Sequence, residues 1–410
     1  MQDMTDTHSS LSAAAQLLQD LIRCPSVTPI EGGALDLLQA RLEPLGFVVQ
    51  RKVFSKPGTP DVENLYARLG TQSPNLCFAG HTDVVPVGDE KEWSSHPFEG
   101  EVVDGFMIGR GAVDMKGGIA CFIAAVEEHL KANGSVPGSI SLLITGDEEG
   151  PAVNGTTAIL DWLVEGGEII DACVVGEPTN PNQIGDAIKI GRRGSISGTV
   201  EVTGVQGHAA YPHLADNPAR GITAPVGALL EKPYDDGTKD FQPTNLEVTS
   251  IDIGNPAFNV IPSRATARFN IRFNDTWTAD TIKQEIEARL DQAAKDPSLR
   301  PELNGVARPP VDWSVTYTER PSHVFLTNDE KLIASLSSAV KSVTGEQPEL
   351  STGGGTSDAR FIKDVCPVVE FGLVGQTMHQ VDERVALPDL ETLTEIYGKF
   401  LTEFFKQEAS

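Results

Sequence analysis

The sequence predicts an α/β fold: a three-layer α/β/α domain, discontinuous along the chain, with a smaller α+β domain inserted in its middle. Three observations predict it. Strand-like and helix-like segments alternate up to about Val175, a strand-rich stretch with two helices follows Gly194, and the alternation returns from about Pro310. The implied boundaries are residues 1–193 and 308–410 for the larger domain and 194–307 for the insert. A chain of 410 residues has room for two domains, each with its own core.

Apolar residues recur at helical spacing from Leu11 to Ile22, where Ser10 or Ser12 can cap the helix and Pro25 and Pro29 end it. Glu31–Leu45 reads as a second amphipathic helix, and Val48–Phe54, Asn64–Leu69 and Leu76–Ala79 read as strands. Helix Met115–Lys131, strand Ser139–Ile144, helix Thr156–Val164 and strand Asp171–Val175 follow, a succession that favours a largely parallel sheet centre. In the insert, strands Ser195–Thr203, Asn245–Ile253 and Ala265–Phe273 are interleaved with helices Asn217–Leu230 and Ala279–Ala294. Beyond Pro310 come a strand near Trp313–Thr318, a helix at Lys331–Val343, a strand at Val365–Phe371 and a closing helix at Leu390–Phe405.

A net charge of −26 argues against nucleic acid and anionic membrane as partners. It also means that an anionic substrate would require a local gathering of basic residues. The five cysteines form no CxxC pair; Cys77, Cys173 and Cys366 lie in apolar runs and Cys121 in a helical stretch, so they read as small buried hydrophobes. Residues 1–10 carry no signal-peptide pattern, and no run of about 18 apolar residues occurs, so the expected location is the cytoplasm.

Chemistry concentrates in five segments, four of them just past a predicted strand: Ala79–Asp83, Gly109–Gly118, Thr145–Gly150, Val175–Thr179 and Met378–Gln380. Singly, each has an ordinary explanation. His81 could be a hydrogen-bonded core imidazole, Glu148-Glu149 a solvated pair, Asp114 a helix cap and Glu177-Pro178 a turn. Together, two imidazoles and several carboxylates at strand ends of one domain suit a catalytic zinc site, because open α/β sheets gather ligands there and no thiolate is present.

These segments, in this order, resemble those of the dinuclear zinc aminoacylase and carboxypeptidase superfamily, which includes acetylornithine deacetylases and glutamate carboxypeptidases. The resemblance implies two zinc ions per subunit, with cobalt able to substitute at one. It assigns His81 and Glu177 to one ion, Glu149 and His379 to the other, and Asp114 to both, with a cis peptide after Asp114. Glu148 is then the general acid/base and Asp83 the carboxylate that orients His81. Adjacent residues of an extended segment point apart, so Glu149 can ligate while Glu148 faces the substrate. With water acidified by the ions, Glu148 takes its proton during attack on the amide carbonyl and passes it to the leaving amine.

Gly207-His208-Ala209 could be a simple turn, but the same resemblance makes His208 an oxyanion stabiliser reaching a partner subunit. It thereby makes the insert a lid and dimerisation domain of a homodimer. Lys189, Arg192 and Arg193 place three cations within five residues at the domain boundary, either a solvated hinge or an anion clamp. Segment Lys189–Ser195, with Asn259–Pro262 and Gly354–Asp358, resembles the succinyl-diaminopimelate desuccinylases. That match implies substrate contacts from Lys189, Arg192, Ser195, Tyr211, Asn259 and Arg272, with Gly355 and Thr356 lining the pocket. Two positions depart from it: Ala359 stands where glycine is common, and Asp382 where asparagine is usual.

The expected activity is hydrolysis of N-succinyl-L,L-2,6-diaminopimelate to succinate and L,L-diaminopimelate. The alternatives are deacetylation of acetylornithine, carboxypeptidase action on dipeptides, and a non-catalytic metal- or metabolite-binding protein. The free Glu148 speaks against the last, because a binding site has no use for a spare base.

Overall fold

A computed structural model describes residues 11–300 and 310–407. The Ser10 cap and the 307/308 boundary lie outside the described residues, but Ser12 does cap the first helix, accepting from the backbone N–H of Ala15. The chain forms two compact units. Of the described residues, one unit takes those up to Ile190, Thr327–Ser351 and those from Ser357 onward; the other takes Gly191–Leu326 and Thr352–Thr356.

The first unit is built on an eight-stranded mixed sheet. Its order is Val48–Phe54, Val62–Leu69, Ser139–Thr145, Asn75–His81, Ala172–Val175, Val368–Glu370, Ala187–Lys189 and Glu349–Ser351. The centre is parallel, since Asn75–His81 runs with both Ser139–Thr145 and Ala172–Val175, and Val368–Glu370 runs with the latter. Every residue of Asn75–His81 and Ser139–Thr145 is buried, as in a central strand covered on both faces, and both are mostly apolar between polar ends. Helices Ala13–Ile22, Lys116–Asn133, Glu330–Thr344 and Leu387–Gln407 pack together as one layer. Helix Thr156–Glu165 packs instead on the strands at 48–54 and 139–145 and on the short helix Ala359–Ile362. Phe78 stacks on Phe122 at 4.4 Å, with Tyr397 set edge-on at 5.9 Å, joining the central strand to the helical layer. Among the described residues no helix is long and apolar enough to cross a membrane.

The second unit is a four-stranded antiparallel sheet in the order Asn245–Asp252, Arg264–Phe273, Gly194–Thr203 and Asp312–Tyr317. Its strands alternate buried and exposed residues, and helices Pro218–Glu231 and Ala279–Ala294 close the core on Ile196, Val200, Phe269 and Ile271. The strand expected near Trp313–Thr318 to reopen the larger domain belongs to this sheet instead. It pairs with Gly194–Thr203, and its alternation turns Trp313, Val315 and Tyr317 onto the small core. The crossing back therefore comes at Leu326 and not at residue 307.

Candidate metal centre

Four of the five motif segments stand at strand ends or at the start of a helix of the first unit. His81 is the last residue of the buried strand Asn75–His81, Glu148 and Glu149 follow Ser139–Thr145, and Glu177 follows Ala172–Val175. Asp114 precedes helix Lys116–Asn133, and its peptide bond to Met115 is cis. Close backbone approach is built in. A Cβ on Gly80 would stand 2.6 Å from Met115 Cε, and one on Gly118 would stand 2.5 Å from the carbonyl oxygen of Gly176.

The Asp114 carboxylate lies between the two imidazoles. Its Oδ1 is 3.2 Å from His81 Nε2, and its Oδ2 is 3.2 Å from His379 Nε2. Glu177 Oε1 stands 3.7 Å from His81 Nε2, whereas Glu149 Oε1 stands 2.8 Å from His379 Nε2. The neighbours thus divide as His81 with Glu177 and His379 with Glu149, with one oxygen of Asp114 turned to each. Ligand atoms of His81, Asp114 and Glu149 lie within 4.8 Å of one another, as do those of His81, Glu148 and Glu177. Glu148, expected as the general acid/base beside the metals and not as a ligand, lies in the same cluster, near His81 and Glu177. His81 and Asp114 are buried, while His379 is exposed and marks the open side of the cluster.

Asp83 differs from expectation. The atom hydrogen-bonded to His81 Nδ1 is the backbone carbonyl oxygen of Asp83, at 2.8 Å; the carboxylate is 3.6 Å away. A carbonyl only accepts, so Nδ1 carries a proton and Nε2 faces the cluster, where, against burial, the Asp114 and Glu177 carboxylates raise His81 well above the usual imidazole range. The carboxylate accepts instead from the backbone N–H groups of Glu148 (3.3 Å) and Glu149 (3.0 Å). The physical reason is distance across the sheet. Strands Asn75–His81 and Ser139–Thr145 are parallel neighbours, so the turn after one faces the turn after the other.

The electrostatics are those of a donor set that requires positive charge. Burial, with Asp358, Glu149 and Asp114 nearby, pushes the Glu148 carboxyl up to about 8 against the pull of His81. Burial, Asp114, Glu148 and Glu370 likewise raise Glu177 well above the usual carboxylate range, despite His81. Hydrogen bonds to Asp114 and Glu149 raise His379 to about 10. Four carboxylates face two imidazoles here. Divalent cations would supply the missing charge, and imidazole and carboxylate donors without thiolate fit zinc. His81, Asp114 and Glu177 would hold one ion, and Asp114, Glu149 and His379 the other.

Two buried carboxylates beside this cluster were not singled out from sequence. Asp358 Oδ2 accepts from Thr156 Oγ1 at 2.6 Å, and Glu370 Oε1 accepts from Ser357 Oγ at 2.6 Å. Glu370 had a readable signal, as a charged residue inside the apolar run Val368–Phe371. Asp358 sat unremarked at the end of Gly354–Asp358.

The residues expected to contact substrate are distributed over both units. In the first, Lys189 Nζ donates to Ser351 Oγ at 3.0 Å. In the second they form three groups. Buried Arg192 donates to the carbonyl oxygens of Gly353 (3.4 Å) and Gly355 (3.0 Å), shaping the turn that carries Gly355 and Thr356. Ser195 and Arg272 are ladder partners joined through Asn270, which donates to Ser195 Oγ and accepts from Arg272 Nε. Asn270 is the member of that group missed from sequence. His208, Tyr211 and Asn259 are exposed neighbours: the rings of the first two are 5.5 Å apart, and Asn259 accepts from the Ala209 N–H at 2.9 Å.

Residues 77–403 match the model of the family described as peptidase family M20/M25/M40. Among solved structures, the chain resembles the M20 family metallo-carboxypeptidase Sso-CP2 from Sulfolobus solfataricus (17% identity, TM-score 0.74, 97% of this chain and 100% of that one). It also resembles human carnosine dipeptidase 1 (20% identity, TM-score 0.71, 96% of each chain). A third likeness is to the Bacillus subtilis YXEP protein, a dinuclear metal binding peptidase of the M20 family (15% identity, TM-score 0.62, 96% of this chain and 98% of that one). At these identities the structural likeness shows a shared fold. The family match spans most of the chain, and the chain accordingly belongs to peptidase family M20/M25/M40 and is a hydrolase of that family.

Proposed function

We propose that this hydrolase cleaves the amide bond of N-succinyl-L,L-2,6-diaminopimelate, releasing succinate and L,L-diaminopimelate, with two zinc ions per subunit and cobalt able to replace one. The observation that carries the chemistry is the Asp114 carboxylate, one oxygen turned to His81 and the other to His379. When bound, the ions would acidify a water and polarise the scissile carbonyl. Glu148, which shares the cluster with His81 and Glu177, accepts the proton of the attacking water and delivers it to the amine nitrogen as the C–N bond breaks.

The substrate rests on the cations Lys189, Arg192 and Arg193 in a chain of net charge −26, and on the likeness of that segment to the desuccinylases. Ser195, Tyr211, Asn259 and Arg272 are the further proposed contacts, with His208 acting in the partner subunit of a homodimer. The five cysteines are all free, which suits a reducing cytoplasm. A second reading, cleavage of dipeptides, is favoured by the dipeptidase and carboxypeptidase among the similar structures.

Steady-state turnover of the succinyl compound beside N-acetylornithine and simple dipeptides, with metal content measured, separates these readings. The proposal expects the highest kcat/KM for the succinyl substrate. A preference for an acetylated compound or a dipeptide would refute that substrate while leaving the metal chemistry intact.

A further inference from the structure

We propose that Glu383 is a positioning residue that locks the loop carrying Asp114 to the loop carrying His379, so that both can hold one metal ion; this inference rests on the two-metal reading above. Glu383 is fully buried, and both carboxylate oxygens are spent on the Asp114 loop. Oε1 accepts from the backbone N–H groups of Val113 (2.9 Å) and Asp114 (3.2 Å). Oε2 accepts from the Gly111 N–H (3.1 Å) and from Arg110 Nη1 (2.7 Å). The backbone carbonyl of Glu383 accepts in turn from the Gly109 N–H at 2.9 Å. One side chain thus gathers three amides of the loop, those of Gly111, Val113 and Asp114, and a guanidinium.

The same side chain sits four residues after His379, in a segment whose backbone has no regular partner. His379 and Asp382 both adopt left-handed φ angles, +62° and +56°, which cost a non-glycine residue free energy unless its surroundings impose them. The surroundings do impose them. Arg110 Nη1 donates also to the Gln380 carbonyl oxygen at 3.1 Å, and Asp382 Oδ1 accepts from Ser94 N–H (2.7 Å) and Oγ (3.0 Å). Asparagine and aspartate tolerate the left-handed region better than other side chains, so Asp382 serves where asparagine is usual in the desuccinylases. Without the Glu383 side chain, the Asp114 loop would lose its carboxylate acceptor and the His379 segment its side-chain link to that loop, and Arg110 would be left as an unpaired buried cation.

The consequence is asymmetric. The hydrogen bonds of the Glu383 carboxylate go to the Asp114 loop, whereas the strand ends that carry His81 and Glu177 are set by the central sheet. It should therefore govern chiefly the ion shared by His379, Glu149 and Asp114. Outer residues that orient metal ligands are each worth about 10- to 100-fold in metal affinity.

The test is titration of apo-protein with Co²⁺, following visible absorption and bound metal per chain, in wild type, Glu383→Gln and Glu383→Ala. Glutamine keeps one acceptor oxygen for Val113 and Asp114 but turns an NH2 toward Gly111 and Arg110, so its defect should be the smaller. The expected result is one equivalent bound within about threefold of wild type and the other weakened at least about tenfold. Equal weakening of both equivalents, or none, overturns the proposal. Amide exchange in the wild-type protein provides a measurement free of variants: the Gly111, Val113 and Asp114 amides should be protected, and rapid exchange there also overturns it. A wild-type chain that takes up no Co²⁺ refutes the metal reading and this inference together, whereas two equivalents in wild type and an unaltered Glu383→Gln refute this inference alone.

Discussion

Replacing Asp83 with asparagine separates two ways in which a carboxylate next to a ligating histidine can act. Asp83 is buried, and its two carboxylate oxygens accept the backbone N–H groups of Glu148 and Glu149 at 3.3 and 3.0 Å. His81 is held by the Asp83 carbonyl oxygen, which the substitution leaves in place. Asparagine keeps one acceptor and turns its NH2 against the second backbone N–H. A hydrogen bond to a charged acceptor contributes about 1.5–3 kcal/mol, and a buried donor left without a partner costs about 1–3 kcal/mol more. Asp83→Asn should therefore destabilise the first unit by roughly 3–6 kcal/mol. Because the displaced segment carries Glu148, kcat should fall about 100-fold, within the range that general acid–base catalysis supplies, while KM changes little. Denaturant unfolding followed by circular dichroism, turnover of zinc-loaded enzyme and metal content together read these effects. Near-normal stability and kcat, with loss of the ion assigned to His81, would show that the carboxylate acts through the imidazole after all and refute the clamp.

Glu148→Ala should lower kcat by about 10²- to 10⁴-fold with two metal equivalents retained, whereas Glu149→Ala should lose one equivalent; the opposite pattern exchanges their roles. Arg192→Ala removes the donor to the Gly353 and Gly355 carbonyl oxygens as well as a cation, and should raise KM for the succinyl substrate far more than for an acetylated one. Arg192→Lys should not restore it, because a single ammonium lacks the planar fork; full recovery with lysine would point to charge alone. In the second unit, burial works to raise the Asp235 carboxyl, but hydrogen bonds from Thr244, Trp277 and Gly237 prevail and hold it below the usual carboxylate range. A depressed folded-state pKa contributes stability that is complete above the unfolded value near 4 and is lost as pH falls below it. Unfolding monitored by Trp277, whose indole N–H donates to Asp235 Oδ2 at 2.7 Å, should show this acid loss in wild type and not in Asp235→Asn. Parallel pH curves for the two proteins would remove Asp235 from that role.

Much of the centre was legible because its information is local. A histidine or glutamate just past an apolar run is at a strand end whichever strands lie beside it, so His81, Glu149 and Glu177 could be placed at strand ends from the chain alone, whereas their reading as metal ligands came from the family resemblance. The helices and long strands were legible for the same reason, since periodicity of 3.6 or 2 residues is a property of the segment itself. Short pieces were not: Ala187–Lys189 and Glu349–Ser351 have too few residues to show a period, and they are strands because they pair with each other and, for the former, with Val368–Glu370.

Tertiary structure alone decided three further matters, each a pairing between residues distant in sequence. The strand Asp312–Tyr317 could have served either sheet by its pattern, and its apolar face joined the core that had room for Trp313 and Tyr317. The carboxylate of Asp83 serves the Glu148–Glu149 turn because neighbouring parallel strands bring that turn within reach, a distance no single segment encodes. Glu383 is an unremarkable acidic residue in the chain. Its importance comes from the Asp114 loop folding over it, where buried backbone N–H groups without another acceptor make its carboxylate necessary.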